Sequence, residues 1–213
     1  MKYQTAPAMI NGSFTKYYDF FVDAFFVGKL LQKKTISLIN LKESQSLVDI
    51  GCGTGTLVIF LKEKYPQANI AGVDPDLIVL GIARKKAQKK KLTINFIQSG
   101  AERLPFSNKS IDVATSSLAF HHMPLEIKKQ ALSEIKRVLK NNGIFYLVDI
   151  GKPKTLFWKV LCRLESIVEP KAYLKDNLDG KIPLLLAAAG FSVKDARSQY
   201  MGICFWKVTK SMI

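Results

Sequence analysis

The sequence predicts an α/β domain on a seven-stranded, mostly parallel sheet, with helices on both faces and an antiparallel C-terminal strand. Three observations predict it. Short apolar runs rich in strand formers alternate with helix-like segments. A glycine-rich loop, "GCGTG", joins the first of these runs to the first helix. Asp74 closes the second run, about 20 residues beyond the loop, where open parallel sheets hold a ligand-binding acid.

The elements follow in order. "SLVDI" (Ser46 to Ile50) is the first strand, and helix-like sequence runs from Thr56 to Lys64. "NIAGVD" (Asn69 to Asp74) is the second strand, followed by a helix in "DLIVLGIARKKAQKK". "LTINFIQ" and "IDVATSS" are the third and fourth strands. "PLEIKKQALSEIKRVLK" carries apolar residues mostly at helical spacing, from Leu125 to Leu139, and the glycine of "NNG" is expected to stop it. "GIFYLVDI" is the fifth strand. "IPLLLAAAG" has proline at its start and Gly190 as its stop, a helix signature. "FSVKDARSQ" and "GICFWKVTK" are the two final strands. Neither repeats nor a low-complexity linker interrupt the chain, so 213 residues read as a single domain.

Composition narrows the function classes. The 48% hydrophobic content fits a packed globular core and excludes disorder. Three cysteines, Cys52, Cys162 and Cys204, are too few and scattered for a disulfide framework or a zinc site. No stretch reads as a signal peptide or a membrane span, so a cytoplasmic location is expected. The net charge of +15 suits an anionic membrane surface or nucleic acid, or simply a lysine-rich solvated surface. The densest basic run, "ARKKAQKKK", lacks the interleaved aromatics that stack on bases, which disfavours nucleic acid.

Glycine permits unusual dihedrals and close approach of a ligand to the backbone. The helix start behind the loop offers free N–H groups and a positive dipole end. A Walker-type loop would need Gly-Lys-Ser/Thr, which is missing, and Thr56 stands where the dinucleotide pattern needs its third glycine. Asp74 is placed to hold ribose hydroxyls, and Asp49, just before the loop, to orient a ligand ammonium directly or through water.

Four segments in order, "VDIGCGTG", "GVDPD", "AERLPF" and "LKNNGIFYLVD", resemble the motifs of class I S-adenosylmethionine-dependent methyltransferases. The most similar subgroup contains the small ubiquinone and menaquinone biosynthesis C-methyltransferases and related lipid N-methyltransferases. The resemblance spans roughly residues 44 to 153 and implies the Rossmann-like fold of that family. It implies S-adenosyl-L-methionine as cofactor, with Gly51, Gly53 and Gly55 under its methionine end and Asp74 on its ribose. The position of the family's adenine-contacting acid is Gly100 here, which leaves adenine to the backbone of Ala101 and Glu102 and to apolar walls. Ser117 matches a family position near the methionyl part, and Tyr18, in "YYDFF", matches a tyrosine that caps the cofactor. Methyl transfer is an in-line displacement that depends on orientation, with a base needed only if the acceptor loses a proton. His121, His122 and Asp149, at the carboxyl edge of the sheet, are the candidate catalytic groups.

The acceptor is expected to be read outside these motifs. Phe14, Tyr17, Tyr18, Phe21, Val22, Phe25 and Phe26 form an aromatic helical stripe, either core or a lid. Phe157, Val160, Leu161, Leu164 and Val168 form another beside Lys152, Lys154, Lys159 and Arg163, which suits peripheral contact with an anionic membrane or an ordinary packed helix. The expected organisation is an N-terminal helical lid over 1–43, a cofactor-binding core over 44–153, a substrate-side insertion over 154–182, and a C-terminal helix and strands over 183–213. The expected activity is methyl transfer to a small, lipophilic acceptor, a quinone precursor or a lipid amine. The rival readings are an RNA methyltransferase and a nicotinamide-dependent oxidoreductase.

Overall fold

The computed structural model describes residues 27–153, 155, 171–200 and 202–211. Helix α1 (Val27–Leu38) leads into β1 (Ser46–Ile50), α2 (Thr56–Lys64), β2 (Asn69–Asp74), α3 (Leu77–Lys89) and β3 (Asn95–Gln98). Then come β4 (Ile111–Ser117), a 3-10 turn (Phe120–His122), α4 (Leu125–Val138) and β5 (Leu139–Ile150). Helices α5 (Lys171–Leu178) and α6 (Ile182–Ala188) precede β6 (Phe191–Tyr200) and β7 (Ile203–Lys210). The aromatic stripe from Phe14 to Phe26, with Tyr18, and the stripe from Phe157 to Val168 lie outside the described residues.

All seven strands form one sheet in the order β3-β2-β1-β4-β5-β7-β6. The pairs from β3 through to β5 are parallel, and β7 runs antiparallel to both β5 and β6. Strand β1 is central and buried from Leu47 to Ile50, as a strand covered on both faces must be. Alternate residues feed two cores. On one face Val48, Phe145 and Leu147 pack with Leu132 and Ile135 of α4 and Leu186 of α6. On the other, Leu47, Ile70 and Tyr146 pack with Val58 and Leu61 of α2 and Leu80 of α3.

Local chemistry sets the helix ends. Asp76 caps α3, its carboxylate accepting the N–H of Ile78 at 2.7 Å. Gly190 follows α6 at φ 78°, the left-handed conformation of a glycine stop. The expected stop of α4 at "NNG" is corrected. The helix ends at Val138, where Leu139 turns extended (φ −64°, ψ 139°), and Asn141 to Gly143 fall within β5. There β5 carries extra residues opposite β4: Ile111 pairs with Leu139 but Val113 pairs with Ile144. The irregularity absorbs the polar "NNG" without breaking the strand.

Candidate functional site

From β1 the chain adds β2 and β3 on one side, then crosses to β4 on the other. The strand order therefore reverses between β1 and β4, the switch point at whose carboxyl ends open α/β sheets form their ligand crevice. The loop after β1 lies there. Gly51, Gly53 and Gly55 have φ of 72°, 52° and 74°, all in the left-handed region that favours glycine. The three glycines do different jobs. A Cβ on Gly51 would collide with the Ala119 Cβ, so Gly51 lets the loop pack against the start of the 3-10 turn. A Cβ on Gly55 would come within 2.8 Å of Ala83 and 2.9 Å of Phe96, so Gly55 admits α3 and β3. A Cβ on Gly53 would meet nothing within 4 Å. Gly53 is the glycine that borders open space.

Acidic groups surround this loop. The Asp74 carboxylate accepts the Gly53 N–H at 2.9 Å and the Asp76 N–H at 3.0 Å, which ties the tip of β2 to the loop. Burial raises its carboxyl above the usual range, those two N–H groups oppose the rise, and the Asp76 charge adds to it. Asp49 is only 2% exposed and accepts the Thr115 hydroxyl at 2.7 Å. Burial pushes its carboxyl up to about 7, against the Thr115 hydrogen bond and with some help from the Asp74 charge. Lys86 reaches from α3 to the start of α2, donating to the Thr54 hydroxyl at 2.9 Å and the Thr56 hydroxyl at 3.2 Å.

The third cluster joins the ends of β4 and β5. The buried Asp149 carboxylate accepts the N–H groups of Phe120 (2.8 Å), His121 (3.3 Å) and Ile150 (2.7 Å), and stands 2.7 Å from His121 Nδ1. Burial works to raise this carboxyl, but the His121 charge and hydrogen bond, the Ile150 N–H and the His122 charge hold it below the ordinary carboxylate range. The His121 and His122 rings stand 3.9 Å apart. His122 lies near enough to both Asp74 and Asp149 to lower each carboxyl when it carries a charge.

The predicted positions thus converge: Asp49, the glycine loop, Asp74, His121, His122 and Asp149 share one sheet edge. Ser117 ends β4 opposite Val148. Ala101 is buried in the core, while the Glu102 carboxylate folds over Gly100 so closely that a Cβ there would collide with it. Glu102 therefore fills the space that a side chain at position 100 would take. Sequence reasoning missed Thr115, Lys86, Lys128, Asn177, and the exposed Leu77 (55%) and Ile78 (59%), which follow Asp74 and offer an apolar surface beside it. An apolar pair just after the acid was a readable signal for that surface. Nothing local marks the others.

A model described as "Methyltransferase domain" matches residues 47–143. A demethylmenaquinone methyltransferase of Deinococcus radiodurans is 30% identical over 177 residues, covering 75% of this chain and 70% of its own. The chain is a class I S-adenosylmethionine-dependent methyltransferase. The demethylmenaquinone methyltransferase of Thermus thermophilus is 28% identical over 181 residues, covering 76% of this methyltransferase and 81% of its own length. An S-adenosylmethionine-dependent methyltransferase structure from Aquifex aeolicus shares the fold, with a TM-score of 0.67 at 18% identity over 85% of this chain and 89% of that one.

S-adenosylmethionine is the cofactor of this methyltransferase, and the crevice fits it. Open space lies over Gly53, where a phosphate-free amino-acid group needs close approach to the backbone. Each Asp74 oxygen accepts one N–H from the loops and keeps a second lone pair for a hydroxyl.

Proposed function

We propose that this methyltransferase alkylates a ring carbon of a small lipophilic quinol, with His121 as the proton acceptor. The observation that carries the reading is the buried His121–Asp149 pair, 2.7 Å apart, on a turn that packs directly against the glycine loop. Nucleophilic lipid amines and RNA bases need less help from a base, whereas a ring carbon must shed its proton to regain aromaticity. The relatives named as demethylmenaquinone methyltransferases support the acceptor class.

When bound, S-adenosylmethionine supplies a methyl group on a cationic sulfur that leaves as a neutral thioether. Asp49 orients the ammonium of the ligand, the backbone at Gly53 makes room for its amino-acid end, and Asp74 holds the ribose hydroxyls. Leu77 and Ile78 cover the base, and the carboxylate of Glu102, folded over Gly100, stands in for the missing acid near the adenine amine. Ser117 lines the methionyl end and Tyr18 caps the site. Bound there, the cofactor would supply that methyl to the acceptor carbon, its sulfur keeping the electron pair of the broken bond. The proton of that carbon passes to His121 Nε2, and one proton is released per turnover. Asp149 holds the imidazole and balances its charge, as the acid of a triad does for its histidine.

The apolar stripes at 14–26 and 157–168 form the acceptor side, and the charge of +15 favours contact with an anionic membrane where such an acceptor resides. Among the described residues no helix is long and apolar enough to cross a membrane.

The test supplies methyl-labelled cofactor with a short-chain prenylated naphthoquinol, a lipid amine, or RNA. Label on the naphthoquinol ring carbon is expected, and His121→Gln should lower turnover about 100-fold or more while cofactor affinity holds. Label confined to the lipid amine or to RNA overturns the acceptor. An unimpaired His121→Gln enzyme overturns the base.

A further inference from the structure

Behind His121 lies a chain of buried polar groups that methyl transfer by itself does not require. Lys128 on α4 is fully buried, and its ammonium donates to the Tyr173 carbonyl at 2.6 Å and to Asn177 Oδ1 at 2.9 Å, with Asp176 3.8 Å away. Asn177 on α5 is also fully buried, and its Nδ2 donates to the Ile150 carbonyl at 2.9 Å and to Asp149 Oδ1 at 3.3 Å. Burying an ammonium is costly without strong partners. Burial lowers the Lys128 ammonium from its usual range, and the charges of Asp176 and Asp149 oppose that loss.

The donor and acceptor chemistry sets each orientation in turn. An ammonium only donates, so the oxygen of the Asn177 amide must face Lys128 and its NH2 must face Asp149. An ionised carboxylate only accepts, so the hydrogen between Asp149 and His121 must sit on Nδ1. In the neutral ring Nε2 is then the unprotonated nitrogen.

We propose that Lys128 and Asn177 are positioning residues for the reaction: Lys128 fixes the Asn177 amide, Asn177 fixes the Asp149 carboxylate, and Asp149 fixes His121 with Nδ1 protonated. The inference rests on the reading of His121 as proton acceptor. It adds that α5, which follows the acceptor-side segment, is wired to the base. The ionisable groups of the network are Asp149 on β5, Lys128 on α4, Asp176 on α5, and the two histidines of the 3-10 turn, with Asp74 on β2 across from His122.

The test reads the imidazole directly and needs no acceptor. The chain has two histidines, so long-range proton–nitrogen NMR of the full-length protein resolves both, with His122→Gln to assign them. The expected result, at a pH above the titration midpoint of the ring, is a neutral His121 with its proton on Nδ1. Asn177→Ser and Lys128→Met each strip a positive or donating group from Asp149, which favours imidazolium, so the His121 titration midpoint should move to higher pH. Leu174→Ala, a buried apolar change on the same helix, should destabilise the fold and leave that midpoint where it was. A wild-type His121 protonated on Nε2 overturns the proposal, and this readout stands even if the variants fail to fold. Variants that lose stability with an unmoved midpoint overturn it as well. Failure of His121 as base would show as undiminished turnover in His121→Gln, with the NMR result intact.

Discussion

The backbone N–H of Gly53 donates to the Asp74 carboxylate at 2.9 Å. The acid proposed to hold the ribose is therefore also the group that holds the loop in place. Asp74→Ala should lose both functions and weaken S-adenosylmethionine binding by about 1.5–3 kcal/mol in titration calorimetry, as for hydrogen bonds to a charged group. Unchanged affinity in a folded variant would remove Asp74 from the site.

The glycines should separate by phenotype. Gly51→Ala meets Ala119 at a left-handed φ of 72° and should cost about 1–3 kcal/mol of stability by chemical denaturation. Ala119→Gly in the same chain should recover the packing part of that loss and leave the backbone part. Gly53→Ala has space for its methyl and should cost about 1–2 kcal/mol through φ alone. Its larger effect should be on cofactor affinity. Equal losses of binding in both variants would contradict the division of roles.

Asp49 should make both stability and binding depend on pH. Its carboxyl is pushed up to about 7 in the fold, against about 3.9 in an unfolded chain. The folded state thus keeps a proton that the unfolded chain has released, and this contribution to stability, full below about pH 4, is lost as pH rises through about 7. Thermal melts of wild type and Asp49→Asn should diverge from about pH 4 to pH 7, with the asparagine variant gaining relative stability as pH rises. A ligand ammonium beside Asp49 favours the ionised form, so cofactor affinity should climb over the same window. Calorimetry in buffers of different ionisation enthalpy should record proton release near neutrality. A pH-independent difference between the two proteins would refute the buried acid.

Deleting residues 1–26 removes the aromatic stripe with Tyr18 and keeps every residue of the described helix Val27–Leu38. Methyl transfer should fall further than cofactor affinity, as measured by label incorporation and by calorimetry on the same preparation. Full turnover by the truncated chain would assign the stripe to another purpose.

What could be read in advance was local. Strand and helix periodicities, the glycines after β1 and the acid after β2 depend on neighbours a few residues away, so each left a mark in the sequence. The loop glycines show the limit of such reading. Their spacing suggested one shared purpose, yet Gly51 and Gly55 answer to Ala119, Ala83 and Phe96, all distant in the chain. Lys128 left no local mark because its partners, Tyr173 and Asn177, arrive 45 and 49 residues later. The "NNG" glycine misled because Leu139 already pairs with Ile111 of β4, so the chain turns extended before the tripeptide is reached.

Strand β7 follows β6 in the chain but lies between β5 and β6 in the sheet. As the nascent polypeptide leaves the ribosome, β6 therefore has no neighbour to join until residues 203–210 have emerged. Until then β5 presents a bare row of N–H and C=O groups beside Asp149. The side of the sheet edge that carries His121 is thus finished after the side that carries the glycine loop, and a chain arrested at β6 would display a sticky edge beside the proposed base.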